Sequence, residues 1–242
     1  LASIAPWAYN LVFKNESLRK IANKIVGFHP DRSMPLLAST TLEQWFKKRK
    51  STVTSGKKVY FFCDEFTNYN DVEIGKKAIL LLEKLGYEIV IPKHEESGRS
   101  WLSKGFVKEA KQIAIKNVTL LKNVVTAEMP MFGLEPSCIL SFRDEYKDLV
   151  GEDLKQDTIE LAKHCYTFEE FLSKELDKGA IDKSLFTKEE RLIKLHGHCH
   201  QKSLSSLTPS KKILSLPENF KVQLIPSGCC GMAGSFGYEK EH

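Results

Sequence analysis

The feature that most constrains the fold is a strand–helix–strand pattern that occurs twice in the same order. Short apolar runs at residues 59–62 and 87–91 flank an amphipathic stretch at 74–85, which predicts two buried strands joined by a helix. The apolar runs at 192–195 and 222–225 flank another helical stretch in the second half of the chain. Strands that alternate with helices form parallel sheets with right-handed crossovers. The sequence therefore predicts an α/β protein with parallel sheets flanked by helices.

Other segments complete this expectation. A third strand is predicted at residues 129–134, and the N-terminal 50 residues read as helices around a proline-containing loop at 30–35. Thr40 or Thr41 is the expected N-cap of the last helix in that arm. Further helices are predicted at residues 105–123, from Pro136 onward, and at residues 154–165, 168–176 and 209–216.

The two halves also share landmarks, as an internal duplication requires. In the first half, 32 residues separate Cys63, at the end of one strand, from Glu96, which follows the next strand. In the second half, 29 residues separate Cys199 from Cys229. In both halves the second strand ends in Ile-Pro. The sequence thus predicts two pseudo-symmetric modules, of which the second lacks its last strand and helix.

We divide the chain accordingly. Residues 1–50 are a helical arm or linker, residues 51–150 are the first module, and residues 151–242 are the second, truncated module. Because Leu1 is not an initiator methionine and both ends look cut, we expect a piece of a longer polypeptide that is inactive alone.

The residues that carry chemistry are concentrated in the second module. His198-Cys199-His200 and Gly228-Cys229-Cys230-Gly231 bring three thiols and two imidazoles into one short region. Thiolate and imidazole are the ligands that iron–sulfur clusters and zinc prefer. Cys199, Cys229, Cys230 and His200 are therefore the predicted metal ligands, with hydrogen-bonded support of the site as the alternative role for His198 and His200.

Composition excludes several classes of protein. The net charge of +5 comes from scattered lysines, so no nucleic-acid partner is predicted. No apolar run reaches the roughly 20 residues of a membrane span. Six cysteines without a secretion signal favour metal or redox chemistry over disulfides. We expect a cytoplasmic protein, or one peripheral to the inner face of the membrane.

These motifs resemble a known family. The pattern around Cys199 and Cys229-Cys230-Gly231 is similar to the cysteine-rich module in the B subunit of heterodisulfide reductase. The chain as a whole resembles the C-terminal part of FAD-linked oxidases of the glycolate oxidase and D-2-hydroxy-acid (D-lactate) dehydrogenase type. The motifs that carry this second resemblance are His196–Lys202, Gly228–Tyr238, Phe66-x-Asn68-Tyr69, Ser97–Gly105 and Glu135–Cys138 with Asp144-Glu145-Tyr146.

The resemblance implies an iron–sulfur cluster here and FAD in an upstream domain, with a ferredoxin-like domain between them. The first module departs from the pattern, because Glu96 and Glu135 stand where thiols are expected and only Cys63 and Cys138 remain. A five-thiolate cluster therefore cannot form in that module. Cys63, Cys138 and Glu96 are candidate cofactor-binding residues, and buried apolar thiols are the alternative for the two cysteines.

Catalytic roles remain open at this level. His198, His200, Glu135 and Arg99 are candidates for holding protons or binding a carboxylate or cofactor. The alternative for Glu96 and Glu135 is a salt bridge with Arg99 or Arg143. Cys165 has no partner at ligand spacing, and we expect a core thiol within a helix.

Two functions from different classes follow. In the first, the chain is the iron–sulfur, electron-transfer part of a FAD-linked 2-hydroxy-acid oxidoreductase and passes electrons from the flavin to an unidentified acceptor. In the second, it is a non-redox structural or docking module with a Cys/His zinc site or no metal. A thiol–disulfide enzyme is a third, weaker alternative.

Overall fold

The computed structural model describes residues 4–51, 53 and 56–241. Residues 1–3 of the predicted arm lie outside the described residues. The predicted α/β class, with parallel sheets flanked by helices and a helical N-terminal segment, is confirmed. The strands are β1 (Lys57–Phe62), β2 (Tyr87–Val90), β3 (Met131–Gly133), β4 (Cys165–Thr167), β5 (Arg191–Leu195) and β6 (Phe220–Leu224). The helices are α1 (Pro6–Lys14), α2 (Glu16–Ile25), α3 (Leu42–Lys48), α4 (Glu65–Tyr69), α5 (Val72–Lys84), α6 (Arg99–Ser103), α7 (Val107–Leu121), α8 (Pro136–Leu140), α9 (Tyr146–Leu149), α10 (Glu152–Ala162), α11 (Phe168–Asp177), α12 (Cys199–Leu204) and α13 (Thr208–Leu214).

The larger sheet is parallel throughout and has the strand order β2-β1-β3-β4. Its two faces are covered by two apolar clusters. Phe61 and Phe132 are register partners whose rings stack at 4.9 Å, and both belong to the first cluster. Phe62 and Met131 belong to the second cluster, on the opposite face. Because side chains alternate across a strand, the apolar run of β1 supplies both clusters, as buried parallel strands do.

The smaller sheet pairs β5 with β6 in parallel, from Arg191↔Phe220 to Leu195↔Leu224. The same strand–helix–strand order therefore occurs in both halves, as the repeat predicts. The two sheets differ in burial, since Leu192 and Leu224 are exposed, whereas the strands of the larger sheet are largely buried.

Two helix ends agree with the signals predicted from the sequence. Gly86 follows α5 with φ +87°, as expected of a glycine just beyond a helix. Thr41 caps α3 in a capping box with Gln44, which confirms the predicted helix start.

The prediction that Cys165 lies in a helix is wrong. Helix α10 ends at Ala162, and Cys165 begins β4, where it pairs with Met131. A strand of three residues is too short to show the alternation of apolar and polar residues that identifies strands in a sequence. It forms because it pairs with β3 in the folded chain. Cys165 is fully buried, so its expected role as a core thiol is confirmed. Strand β4 lies in the range predicted for the second module, after residue 150, but it pairs with the larger sheet. The division of the chain into modules at residue 150 remains a prediction.

Among the described residues, none of the helices combines the length and the apolar character that crossing a membrane would require.

A cysteine-lined sheet edge and a carboxylate–histidine cluster

The three cysteines of the second module lie beyond the carboxyl ends of β5 and β6. Cys199 is the first residue of α12, and His198 is the residue before that helix. Cys229 and Cys230 lie in the loop after β6, and all three cysteines are exposed. Parallel strands place their carboxyl ends at one edge, where such sheets bind ligands. The sheet therefore brings the three predicted thiols to a common edge.

The thiol of Cys229 lies in surroundings that favour its charged form. Cys199 and Cys230 are close enough to affect its pKa. The backbone N–H of Gly231 donates to Cys229 Sγ at 3.4 Å. This hydrogen bond is the main cause that lowers the pKa of the Cys229 thiol, and the neighbouring thiols and Lys202 act in the same direction. A lowered thiol pKa favours the thiolate, which is the form that binds metals.

Side chains from just after the end of β5 and from α12 form hydrogen bonds with the loop that follows β6. Lys202 Nζ donates to the carbonyls of Ser227 and Gly228 at 3.1 and 2.8 Å. Ser227 Oγ lies 2.7 Å from Nδ1 of His196. The histidine–cysteine segment and the double-cysteine loop are thus linked by hydrogen bonds as well as by the pairing of their strands.

The two histidines beside Cys199 face the first module. His198 Nε2 lies 3.6 Å from Glu135 Oε1. His200 Nε2 lies 4.0 Å from Asp144 Oδ2 and 3.9 Å from Glu145 Oε1. Helix α12 packs against α8, the helix that follows β3. The carboxyl edges of the two sheets therefore meet, and histidines of one module face carboxylates of the other.

Burial lowers the pKa of His200, and the positive charge of Arg99 acts in the same direction, whereas Asp144 and Glu135 oppose it. The imidazole is therefore neutral near pH 7, the state in which histidine binds metals. The assignment of His200 as a ligand of the cysteine site remains a prediction. In the structure His200 faces two carboxylates, those of Asp144 and Glu145.

The remaining polar candidates of the first module have identifiable partners. Arg99 pairs with Glu145, while Arg143 pairs with Glu170. The salt bridges expected as alternatives for Glu96 and Glu135 are thus made by other carboxylates. Trp101 Nε1 donates to Glu96 Oε1 at 2.5 Å. Glu135 is the N-cap of α8 and accepts hydrogen bonds from the backbone N–H and hydroxyl of Ser137.

The two first-module cysteines are not brought together with the exposed thiols. Cys63 packs in the cluster that contains Phe61, and Cys138 packs in the cluster that contains Phe62. Burial raises the pKa of both thiols, with a hydrogen bond to Ser97 opposing the rise at Cys138. These surroundings favour apolar thiols over ligands.

Two residues of this interface were not among the predicted site residues. Within the described residues, three side chains of metal-binding type have ligand atoms that all lie within 4.8 Å of one another. Asp144, Glu145 and His200 form this group. Fifty-four residues separate Glu145 from His200, so nothing local in the sequence joins them. The sequence signal that could have pointed to Asp144 and Glu145 was the Asp144-Glu145-Tyr146 motif, which contributes to the family resemblance.

The donor set can be tested against an iron–sulfur cluster. In the second module, three exposed thiols at one sheet edge and a lowered pKa at Cys229 fit sulfur ligation. In the first module, two buried thiols in different apolar clusters do not. The fold and this edge together define an α/β protein with a cysteine-lined sheet edge whose donors suit a soft metal.

Comparison with known proteins narrows the class. The chain is 26% identical to D-2-hydroxyglutarate dehydrogenase of Escherichia coli (strain K12) over 255 aligned positions, which cover 100% of this chain and 24% of that protein. It is 27% identical to the C subunit of anaerobic glycerol-3-phosphate dehydrogenase from the same strain, across 93% of this chain and 56% of that protein. It is 29% identical to lactate utilization protein A 1 of Bacillus mycoides (strain KBAB4), across 68% of this chain and 66% of that protein.

The chain is thus similar to oxidoreductases of the D-2-hydroxyglutarate, lactate and glycerol-phosphate dehydrogenase type, and it spans about a quarter of the length of the first of them. No family model matches the chain. No solved structure matches it either.

Proposed function

We propose that this chain is the iron–sulfur, electron-transfer region of a FAD-linked 2-hydroxy-acid oxidoreductase. The observation that carries the proposal is that three exposed cysteines, Cys199, Cys229 and Cys230, lie at the carboxyl edge of the smaller sheet. Similarity to dehydrogenases along the whole chain supports an oxidoreductase.

In this function, Cys199, Cys229 and Cys230 would hold the cluster as thiolates, and the cluster would supply one-electron transfer. The N–H of Gly231 stabilises negative charge on Cys229 Sγ. Hydrogen bonds to sulfur and solvent exposure are two of the factors that set such potentials. Lys202 fixes the loop that carries the cysteine pair through its bonds to the two carbonyls.

The partners of this function belong to the same polypeptide. A flavin domain would oxidise a hydroxy acid of the D-2-hydroxyglutarate or D-lactate type, and a ferredoxin-like domain would connect the flavin with this region. The electrons would then pass to an unidentified acceptor. We place the protein in the cytoplasm or at the inner face of the membrane.

The test is the iron and acid-labile sulfide content of the natural full-length polypeptide, purified without exposure to air. We expect Cys229→Ser to lower both contents, while the ferredoxin-like domain keeps its own share. Cys165→Ala is the matched control, because it removes a fully buried thiol away from the sheet edge, and it should retain the wild-type content.

Equal iron in wild type and Cys229→Ser contradicts the proposal. Wild-type protein that contains zinc bound to sulfur, with no iron beyond the ferredoxin-like clusters, supports the structural module instead.

A further inference from the structure

The interface between the modules contains a second group of metal-ligating side chains, separate from the thiols. Asp144 and Glu145 follow α8 of the first module, and His200 lies in the first turn of α12 of the second. The ligand atoms of the three residues all lie within 4.8 Å of one another. This group combines one imidazole with two carboxylates across a contact between elements far apart in the chain.

The distances fit a shared ion better than direct hydrogen bonds. His200 Nε2 lies 4.0 Å from Asp144 Oδ2 and 3.9 Å from Glu145 Oε1, and both distances exceed the range of a hydrogen bond. Two atoms that each lie about 2.0–2.2 Å from one zinc ion are at most about 4.4 Å apart. The three side chains can therefore hold one ion with small adjustments.

Several buried polar atoms here lack a hydrogen-bond partner. Within the described residues, Glu145 Oε2, His200 Nδ1 and His198 Nδ1 are buried and unpaired. The great majority of buried polar atoms have a partner from protein or water. Glu145 Oε2 is therefore available to an added ion, whereas the two Nδ1 atoms lie on the side of each ring away from the Nε2 atoms that face the carboxylates and do not bear on this site.

The charge of the interface favours a cation. A third carboxylate, Glu135, lies near Asp144 and Glu145 and faces His198. Two cations oppose these three carboxylates: Arg99 pairs with Glu145 Oε1 and leaves Oε2 without a hydrogen-bond partner, and Lys147 Nζ lies 3.8 Å from Asp144 Oδ1. One negative charge remains after these pairings, so an added positive ion is favoured.

We infer that Asp144, Glu145 and His200 bind a zinc ion that joins the two modules. One imidazole nitrogen and two carboxylate oxygens are ligands that zinc accepts. The site goes beyond the proposed electron-transfer function, because it uses no thiol and supplies no redox chemistry. Its role is to hold α12, which carries Cys199, against the first module.

The experiment uses the natural full-length polypeptide, purified without air, treated with chelator and titrated with zinc. We expect one equivalent to bind, with zinc K-edge absorption showing nitrogen and oxygen neighbours only. Zinc–sulfur bonds, at about 2.3 Å, are readily distinguished. Iron content is measured on the same samples, so failure of the zinc site and failure of the cluster are read separately.

Asp144→Asn removes one ligand charge and spares the Arg99–Glu145 pair. We expect its zinc affinity to fall at least about 100-fold, the upper end of the loss that follows removal of an outer partner of a metal ligand. Asp148→Asn is the matched control, because Asp148 is an exposed carboxylate on α9. Asp148→Asn and Cys229→Ser should both retain the bound zinc.

Three outcomes overturn the inference. They are the absence of zinc binding by the wild type, sulfur neighbours around the bound zinc, and equal affinity of Asp144→Asn and the wild type. Because the absorption spectrum is measured on the wild type, the inference stays testable even if Asp144→Asn does not fold.

Discussion

The hydroxyl of Tyr146 donates a hydrogen bond of 2.9 Å to the backbone carbonyl of Ser97, in the loop after β2. The same hydroxyl accepts a hydrogen bond of 2.9 Å from Asn117 Nδ2, and Asn117 also bonds the backbone of Glu95 and Glu96. In the duplication that the sequence predicts, this loop corresponds to the one that carries Cys229 and Cys230. Hydrogen bonds from Tyr146 and Asn117 therefore fix this loop from the protein interior, whereas the loop predicted to correspond to it carries exposed thiols.

Removal of this hydroxyl should destabilise the fold. In Tyr146→Phe the Ser97 carbonyl and one Asn117 N–H lose a partner at a fully buried position. Leaving buried polar groups unpaired costs about 1–3 kcal/mol. We expect the free energy of unfolding in urea to fall by that amount. A difference within about 0.5 kcal/mol, as for an ordinary surface substitution, would show that the loop does not depend on this bond.

The stability of the chain should depend on the protonation of Asp64, the N-cap of α4. Burial raises the pKa of this carboxyl from 3.8 to about 7, although hydrogen bonds from Thr67 oppose the rise. The folded chain therefore binds this proton more tightly than the unfolded chain does. The resulting stabilisation is fully present below about pH 3.8 and is lost as the pH rises through about 7.

Asp64→Asn isolates this effect, because the amide oxygen can still accept the capping bonds and carries no charge. We expect the unfolding free energy of the wild type, minus that of the variant, to decrease steadily from about pH 4 to pH 7. Other titrating groups cancel in this difference if they are independent of Asp64. A difference that stays constant or increases with pH contradicts the assignment.

Cys229 and the three buried thiols should differ in reactivity in the metal-free chain. Cys229 is exposed and its pKa is lowered, mainly by the Gly231 N–H, whereas burial raises the pKa of Cys63, Cys138 and Cys165. Alkylation follows the thiolate fraction and exposure. With limiting iodoacetamide near neutral pH, peptide mass spectrometry should find Cys229 modified and those three cysteines protected until urea is added. Equal modification of Cys165 and Cys229 in the folded chain would contradict this.

Much of the fold could be predicted from the sequence, because it is written in local patterns. The run Val59–Phe62 predicts a buried strand, and Thr41 and Gly86 mark helix ends by chemistry that needs no distant partner. The strand at Cys165 could not be predicted in this way. Its three residues form a strand only through pairing with β3, and a single sequence does not record that contact.

The same distinction applies to the candidate site. The convergence of Cys199 with Cys229 follows from two parallel strands that end at one edge, and spacing along the chain predicts it. The contact of His200 with Asp144 and Glu145 depends instead on how the two modules pack. The positions of Cys63 and Cys138 in different apolar clusters depend likewise on which side of the larger sheet each element covers.

Electron paramagnetic resonance most directly tests the claim that this region carries a redox-active cluster ligated by Cys229. The natural full-length polypeptide, purified without air, would be compared with Cys229→Ser and Cys165→Ala in the oxidised and dithionite-reduced states. We predict a signal beyond those of the ferredoxin-like clusters in wild type and Cys165→Ala, which is lost or altered in Cys229→Ser. Identical spectra and spin counts in all three proteins would contradict the account.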